Sequence, residues 1–140
     1  MGDFRVLVTG SRSYPSPDDV WEALAMTLAE HCDPGDVFTV VHGACPTGAD
    51  AHAASWVQLP DGGSGVAIVE ESHPADWSTC TPACYHRPRP DRRCPPAGPR
   101  RNAEMIAAGA DLVLAFPLSA DQRESRGTYD CIDRAAAAGI

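Results

Sequence analysis

Short apolar runs alternate with longer amphipathic segments along the first half of the chain. Phe4–Val8 and Val37–Val41 are rich in β-branched residues and run into glycine turns, so each predicts a buried strand. Between them, Ser16–Asp19 combines an N-cap serine, a proline at the first helical position and two acids in the first turn. A helix is therefore predicted from Pro17 until Pro34, and its apolar stripe consists of Val20, Trp21, Leu24 and Leu28.

The second half of the chain continues this alternation. The remaining predicted elements are a helix opened by the capping pattern Thr47–Asp50, a strand at Val66–Val69, a helix from about Pro99 to Gly109, a strand at Leu112–Phe116 and a helix from about Thr128 to Ala138. Strands that alternate with helices favour a parallel sheet covered on both faces, because parallel strands need crossover connections. The pattern therefore predicts an α/β fold.

Composition and charge narrow the possible functions. The 140 residues fit one domain, 1–140, and the formal net charge of −8 argues against a surface devoted to nucleic acid. The chain contains no lysine, which excludes Schiff-base chemistry and a P-loop lysine. The arginines are concentrated between positions 87 and 101, so an anionic partner is expected to approach that side. Arginine suits phosphate because its planar guanidinium donates in a fork.

The chain also lacks the signals of a membrane or secreted protein. No run approaches the roughly 18 apolar residues of a membrane span, and the start lacks the apolar core of a signal peptide. We therefore expect a cytoplasmic protein with no membrane partner.

Glycine-containing and polar clusters follow the predicted strands or open the predicted helices. They are Thr9–Arg12, His42–Gly43, Gly48–Asp50, Arg100–Asn102 and Ser125–Thr128. In parallel sheets, ligands bind at the carboxyl edge, where helix N-termini present N–H groups to anions. Neither a Walker motif nor a complete G-x-G-x-x-G is present. The clusters predict a phosphate or nucleotide site of another kind.

Candidate ligand-binding residues are assigned by residue type. Glycines would let the backbone approach a phosphate or simply form turns, hydroxyls would donate to it or cap helices, and arginines would bind it or remain solvated. The predicted set is Gly10, Ser11, Arg12, His42, Gly43, Gly48, Asp50, Arg101, Asn102, Phe116, Ser125, Arg126, Gly127 and Thr128.

Several other residues have both a functional and a structural interpretation. Asp50 could orient a ribose hydroxyl or complete a capping box, whereas Asp111 fits a turn better. His42 is more typical of a satisfied polar residue than of a base. Asp76 and Trp77 either close over a base or anchor the following insertion.

A Cys/His-rich insertion at 73–98 carries a separate signal. Cys80, Cys84, His86 and Cys94 form C-x3-C-x-H-x7-C in a stretch of prolines and arginines with few apolar residues. Three thiolates and one imidazole would make a closed, structural zinc site. A disulfide with a spare thiol and three free thiols are the alternatives. The other cysteines, Cys32, Cys45 and Cys131, fit small buried thiols beside apolar segments.

The motifs together resemble the YspA-like branch of the SLOG superfamily, which includes the LOG phosphoribohydrolases and the DNA-processing protein DprA. The resemblance implies a Rossmann-like three-layer sandwich with a mostly parallel sheet and a pocket for a nucleotide-derived ligand. It rests on Thr9–Arg12, His42–Gly43 with Gly48–Asp50, His73–Trp77, Ala97–Asn102 with Met105, Gly109–Asp111 with Ala115–Phe116, and Ser125–Thr128 with Ala138–Ile140.

The resemblance also carries specific expectations about catalysis. LOG enzymes hold phosphate with a glycine-rich segment whose glutamate helps catalysis, but here Cys131 occupies the glutamate position and Asp130 precedes it. The LOG arginine four residues before a methionine corresponds to Arg101 before Met105. The candidate catalytic residues are therefore Asp50, Arg101 and Asp130.

Three functions follow in order of preference. The first is a module that senses or sequesters a nucleotide-derived ligand, favoured because the LOG glutamate is missing. The second is a LOG-like N-glycosidase, in which Arg101 and Ser125–Thr128 hold phosphate while Asp50 or Asp130 stabilises the oxocarbenium-like transition state. The third is nucleic-acid binding through the arginine-rich insertion. LOG-like relatives often dimerise, so the resemblance allows a homodimer without fixing the oligomeric state.

Overall fold

Strands and helices alternate along the whole described part of the chain. The computed structural model describes residues 2–60, 62–81, 84, 93–118 and 125–140. The elements are β1 (Asp3–Gly10), α1 (Pro17–His31), β2 (Val37–His42), α2 (Gly48–Val57), β3 (Ala67–Ser72), α3 (Ala97–Ala108), β4 (Leu112–Phe116) and α4 (Arg126–Ala137). The predicted α/β fold is confirmed.

Several element boundaries differ from the sequence prediction, including the end of α1 at His31 and those of β3, α3 and α4. β3 continues to Ser72, three residues beyond its predicted end. The prediction ended too early because β3 is an edge strand with mostly exposed residues, so no apolar run marks its second half. α3 begins at Ala97, inside the range predicted for the insertion. Its Pro99 lies within the first turn, where a missing N–H breaks no intrahelical bond. α4 begins at Arg126, two residues before the predicted start.

All pairings in the described sheet are parallel, in the order β3-β2-β1-β4. The chain runs outward from β1 to β2 and β3, and then returns to pair β4 with the other side of β1. The connections therefore change direction between β1 and β4. Such a switch point leaves a crevice at the carboxyl ends of the two strands, where ligands bind in open α/β sheets.

Two apolar cores lie on opposite faces of the sheet. Val6 and Val8 pack with residues of α1 and α2, whereas the intervening Leu7 packs with Met105 of α3 and Cys131 of α4. Adjacent residues of a strand point to opposite faces, so β1 contributes to both cores. This arrangement makes the three layers that the family resemblance implied.

The two predicted helix caps have different outcomes. The Ser16 hydroxyl accepts a hydrogen bond from the Asp19 N–H at 3.3 Å, so the predicted cap of α1 is confirmed. At α2, Thr47 makes no side-chain cap, and Asp50 accepts instead from the Cys45 N–H at 3.2 Å. The capping box is therefore wrong. One first-turn amide of α2, that of Ala49, is satisfied by the Ser11 carbonyl at 3.1 Å.

An ion-pair cluster on β1 and β3 predicts pH-dependent stability. Glu71 lies 2.7 Å from Arg5 and 2.9 Å from His73, and these partners lower the pKa of Glu71 to about 2. A carboxylate with a depressed folded-state pKa stabilises the fold above its ordinary value of 4.5, and this contribution is lost as the pH falls towards 2. We therefore expect Glu71→Gln to lower the free energy of unfolding at neutral pH and to do so less at pH 3. Urea unfolding at both values measures the difference, and an equal loss at both contradicts the assignment.

Candidate functional site

A cavity of about 780 Å³ opens at the carboxyl edge of the sheet. Its volume lies within the roughly 300–1,000 Å³ that is typical of small-molecule sites. The loops after β1 and β2 and the first turns of α3 and α4 supply most of its wall. The predicted residues that line it are Gly10, Ser11, Arg12, Gly43, Asp50, Arg101, Asn102, Ser125, Arg126, Gly127, Thr128 and Asp130.

Three residues of the predicted set lie behind the cavity wall. His42 is buried, with Nε2 2.7 Å from the Glu70 carboxylate and Nδ1 accepting from the Ala44 N–H at 2.9 Å, so it supports the β2–α2 loop. Gly48 has a φ of +74°, and a Cβ there would overlap the Ser11 carbonyl oxygen. The Phe116 carbonyl accepts from the Ser11 N–H at 3.0 Å. All three position the wall from outside.

Gly10 also has a packing role in addition to lining the cavity. A Cβ at this position would collide with the Ala49 side chain and lie 2.8 Å from the Phe116 carbonyl oxygen. The glycine therefore allows α2 and β4 to approach the end of β1. The Ser11 hydroxyl accepts from the Ser13 N–H at 3.1 Å, which folds the turn that follows.

The first turn of α4 gives the cavity its anion-binding character. Arg126, Gly127 and Thr128 occupy this turn, whose N–H groups have no intrahelical acceptors. The turn contains no acid, and a Cβ built on Gly127 would meet open space. By contrast, α1 carries two acids in its first turn. The positive end of the α4 dipole thus faces the cavity, and the first turn itself adds no carboxylate.

Asn102 connects α3 to α4 at the cavity floor. Its side chain is buried, and its amide nitrogen donates to the Gly127 carbonyl at 3.1 Å and to the Asp130 carboxylate at 3.0 Å. Arg134 donates to the same Asp130 oxygen at 2.9 Å. Asp130 is therefore an anchored carboxylate that fixes the α4 turn.

Asp50 and Arg101 lie on the side of the cavity formed by the β2–α2 loop. Burial raises the pKa of Asp50, although the Cys45 N–H and the charges of His42 and Arg101 oppose the shift. Arg101 donates to the Gly43 carbonyl, to the His73 carbonyl at 3.4 Å and to Asn102 at 2.9 Å. Its guanidinium is thus oriented by the protein before any ligand binds.

Trp77 lies on the cavity wall and also anchors the following segment. Its carbonyl accepts from the Cys94 N–H at 2.6 Å, and its indole packs against Gly98 in the first turn of α3. The guanidinium of Arg93 lies 4.5 Å from the ring centroid, and that of Arg12 lies 5.2 Å from it. Both interpretations of Trp77 from sequence are therefore compatible with its position.

Other lining residues escaped sequence reasoning. Gly98 precedes Asn102 by one helical turn, so its spacing could have placed it on the same face of α3. Cys45 lines the cavity instead of being a buried structural thiol, whereas Cys131 is fully buried as predicted. Thr9, Pro99 and Met105 lie in motifs that the sequence analysis quoted without assigning them to the ligand, and Val8, Ser13 and Pro95 were missed.

The cysteines of the insertion converge beside this wall. The sulfur atoms of Cys80, Cys84 and Cys94 lie within 4.8 Å of one another, and the Cys84–Cys94 distance is 3.5 Å. A tetrahedral zinc with bonds of about 2.3 Å separates its sulfur ligands by about 3.8 Å, so the cluster could hold a metal ion. The predicted fourth ligand, His86, lies outside the described residues.

The surroundings of the cluster favour thiolate at one position and oppose it at another. Hydrogen bonds from Thr81, with a smaller contribution from Arg100, lower the pKa of Cys84 to about 6. The contact with Cys94 raises the pKa of Cys80 to about 11. Three thiols this close therefore resist joint deprotonation unless a cation lies between them.

The described arginines of the basic stretch have partners within the molecule. Arg100 donates to the Cys84 sulfur at 3.1 Å and to the Thr79 carbonyl at 2.8 Å, while Arg93 stacks on Trp77 and Arg101 contacts backbone carbonyls. The others, Arg87, Arg89 and Arg92, lie outside the described residues.

Among the helices that the structure describes, none is both long and apolar enough to span a membrane.

Comparison with known proteins agrees with the motif resemblance. The model of the YspA, cpYpsA-related SLOG family matches residues 4–79, from β1 to the start of the insertion. The gene 61 protein of Mycobacterium phage D29 is 40% identical over 136 residues, which cover 97% of this chain and 91% of the phage protein. No solved structure gives a significant match. The chain belongs to the YspA, cpYpsA-related SLOG family.

Proposed function

We propose that this protein binds a phosphorylated nucleoside or a related nucleotide in the cavity and acts as a sensor or sequestering module. The observation that carries the proposal is the first turn of α4, which lines the cavity, contains no acid and leaves open space above Gly127. A phosphate there would accept hydrogen bonds from backbone N–H groups at the positive end of the helix.

The charges around the cavity support an anionic ligand. Among the described lining residues, the cations are Arg12, Arg101 and Arg126 and the acids are Asp50 and Asp130. Asp130 is held by Asn102 and Arg134, and Asp50 is buried with a raised pKa. In a chain with a net charge of −8, the ligand therefore meets a locally cationic surface.

Two features favour binding over turnover. Cys131, at the position of the LOG glutamate, is fully buried in the core with Leu7 and Met105. The neighbouring Asp130 is committed to hydrogen bonds that hold the α4 turn. Neither residue supplies an unengaged carboxylate to a reacting sugar.

Isothermal titration calorimetry with related ligands tests the proposal. We expect adenosine 5′-monophosphate, or the monophosphate of another base in the panel, to bind at least about ten-fold more tightly than its nucleoside, because charge-assisted hydrogen bonds to phosphate are each worth roughly 1.5–3 kcal/mol. Ribose 5-phosphate reports the phosphate contribution alone. Equal affinity for nucleoside and nucleotide, or no binding across nucleoside mono- and diphosphates, contradicts the proposal.

Cleavage of an N-glycosidic bond is the second candidate, and the buried carboxylate of Asp50 is the observation that favours it. If the protein is an enzyme, Asp50→Asn should reduce base release from a nucleoside monophosphate by about 100-fold or more, because the anion that faces the oxocarbenium-like centre is lost. The natural protein should lose activity as the pH falls through the raised pKa of Asp50, since the ionised form is required.

Chromatographic detection of the free base measures this prediction. Asp130→Asn tests the second candidate carboxylate, and we expect a smaller loss of base release because Asn102 and Arg134 already bind that group. A nucleotide that binds but releases no base contradicts cleavage and supports the sensor function. Equal activity of the natural protein and the Asp50→Asn variant excludes Asp50 from catalysis.

We also propose that the cysteine cluster holds a structural zinc ion, with Cys80, Cys84, Cys94 and His86 as ligands. Three thiolates and a neutral imidazole would give the complex a net charge of −1, and Arg100 supports it by donating to the sulfurs of Cys84 and Cys94 at 3.1 and 3.5 Å. Four protein ligands leave no open position, so the ion would stabilise the insertion and take no part in catalysis.

Replacing Arg100 tests this assignment. We expect Arg100→Gln to weaken zinc binding by about 10- to 100-fold, the usual effect of losing a group that orients metal ligands. Competition with a chromogenic chelator measures the affinity, and Arg134→Gln is the matched control because its partner is Asp130 on α4. Elemental analysis that finds no metal in protein prepared without chelator contradicts the zinc site.

A further inference from the structure

We infer that metal binding at the cysteine cluster controls the affinity of the neighbouring cavity, through Trp77 and the first turn of α3. This inference rests on the proposed nucleotide site and adds its regulation. It follows from one juxtaposition: residues that flank the three thiols, Trp77 on one side and Pro95 and Gly98 on the other, also form one wall of the cavity.

The chain passes directly from the cluster into the wall. Cys94 is fully buried among the thiols, the next residue, Pro95, lines the cavity, and Gly98 lines it again one turn into the helix. A change of 1 Å in the position of Cys94 therefore moves lining atoms, since only a few backbone bonds separate them.

Trp77 is attached to the cluster from both directions. It precedes Cys80 by three residues, and its carbonyl accepts from the Cys94 N–H at 2.6 Å. Its indole packs on Gly98, where an added Cβ would lie 2.9 Å from the ring. The segment from 73 to 81 has no helix or strand, so individual contacts such as this hydrogen bond and the packing on Gly98 fix its position.

Adjacent arginines on α3 couple the two sites. Arg100 donates to the sulfurs of Cys84 and Cys94, whereas Arg101 lines the cavity and donates to carbonyls of Gly43 and His73. One helical turn thus contacts the cysteine cluster on one side and the cavity on the other. Movement of this turn changes both sets of contacts together.

The consequence is a reciprocal coupling. With the metal bound, the three thiols are tied together and the indole and the α3 turn hold one arrangement. Without it, the thiols separate, Trp77 loses one of its anchors, and the ordering of the wall opposes ligand binding. Thermodynamic linkage then requires the ligand to tighten metal binding by the same factor.

The experiment compares the full chain in zinc-loaded form, after removal of zinc with a chelator, and after zinc is restored. The probe is adenosine 5′-monophosphate, with its affinity measured by calorimetry. We expect zinc removal to weaken binding by about ten-fold or more, within the usual range of coupling between two sites, and zinc addition to restore it.

A second measurement follows Trp77 directly. The fluorescence of the natural protein minus that of Trp77→Phe isolates this indole from Trp21 and Trp56. We expect zinc removal to increase its quenching by acrylamide, while far-UV circular dichroism stays constant because neither apolar core contains the three thiols.

Matched variants separate the coupling from general loss of structure. Cys80→Ser changes the exposed member of the cluster and should reproduce zinc removal, whereas Cys32→Ser, a half-buried thiol elsewhere, should not. Equal nucleotide affinity with and without zinc, or unchanged quenching of Trp77, overturns the coupling and leaves the proposed function intact. Zinc-dependent quenching without nucleotide binding in either form overturns the proposed function and retains metal control of the wall.

Discussion

Gly127→Asp is expected to reduce the affinity for phosphorylated ligands by on the order of 100-fold while leaving the fold at least as stable. A carboxylate in the first turn of α4 would occupy the open space above Gly127 and repel a phosphate. Two unit charges about 4 Å apart interact by about 4 kcal/mol at an effective dielectric constant near 20, and solvent reduces this value at an open site. The same charge stabilises the helix, since it lies at the positive end of the dipole.

Gly127→Asn is the matched control, because asparagine has nearly the same shape without the charge. We expect it to retain much more affinity than the aspartate variant in calorimetry with adenosine 5′-monophosphate. An equal loss in both variants would show that the side chain blocks the cavity by its size. Full affinity in both would place the phosphate away from α4.

Gly48→Ala is expected to give the largest loss of stability among the glycine substitutions. The new methyl group would overlap the Ser11 carbonyl oxygen, and the φ of +74° is unfavourable for any residue with a Cβ. Overpacking of about 1–3 kcal/mol and a left-handed backbone cost of about 1–2 kcal/mol together suggest a loss of roughly 3 kcal/mol. In a domain of this size the melting temperature should fall by on the order of 10 °C.

Gly139→Ala separates the two causes of that loss. Gly139 also has a positive φ, +82°, but open space surrounds its Cβ position. We therefore expect this control to lose only the backbone contribution of about 1–2 kcal/mol. Equal destabilisation of the two variants in urea unfolding would mean that the approach of α2 to Ser11 contributes nothing.

The fold could be predicted because its signals are local. The mostly buried strands β1 and β2 and the partly buried strand β4 appear as short runs of apolar residues, and Ser16 marks the start of α1 because its hydroxyl accepts from the nearby Asp19 N–H. β3 is longer than predicted because it is an edge strand whose second half, from Glu70 onward, carries polar side chains. Strand propensity alone does not indicate which strand lies at the edge of a sheet.

The candidate site was harder to predict from the sequence because its decisive contacts join residues that are distant along the chain. Nothing near Asp50 in sequence indicates that its carboxylate turns to the Cys45 N–H instead of to Thr47. The need for glycine at position 98 becomes evident only from the packing of Trp77 against it. The glycine clusters could be assigned to one sheet edge, but which of them line the cavity depends on the close packing of the β1–α1 turn against α2.

The position of β1 between β2 and β4 also has a consequence for folding order. β1 can pair with β2 early, whereas its contacts with the β4 region join residues as far apart as Arg5 and Asp111, 106 positions away in the chain. Closing so long a segment carries a larger entropy loss and slows folding. The cavity spans the junction between β1 and the last part of the chain, so a bound ligand would hold these parts together and protect the folded state from proteolysis.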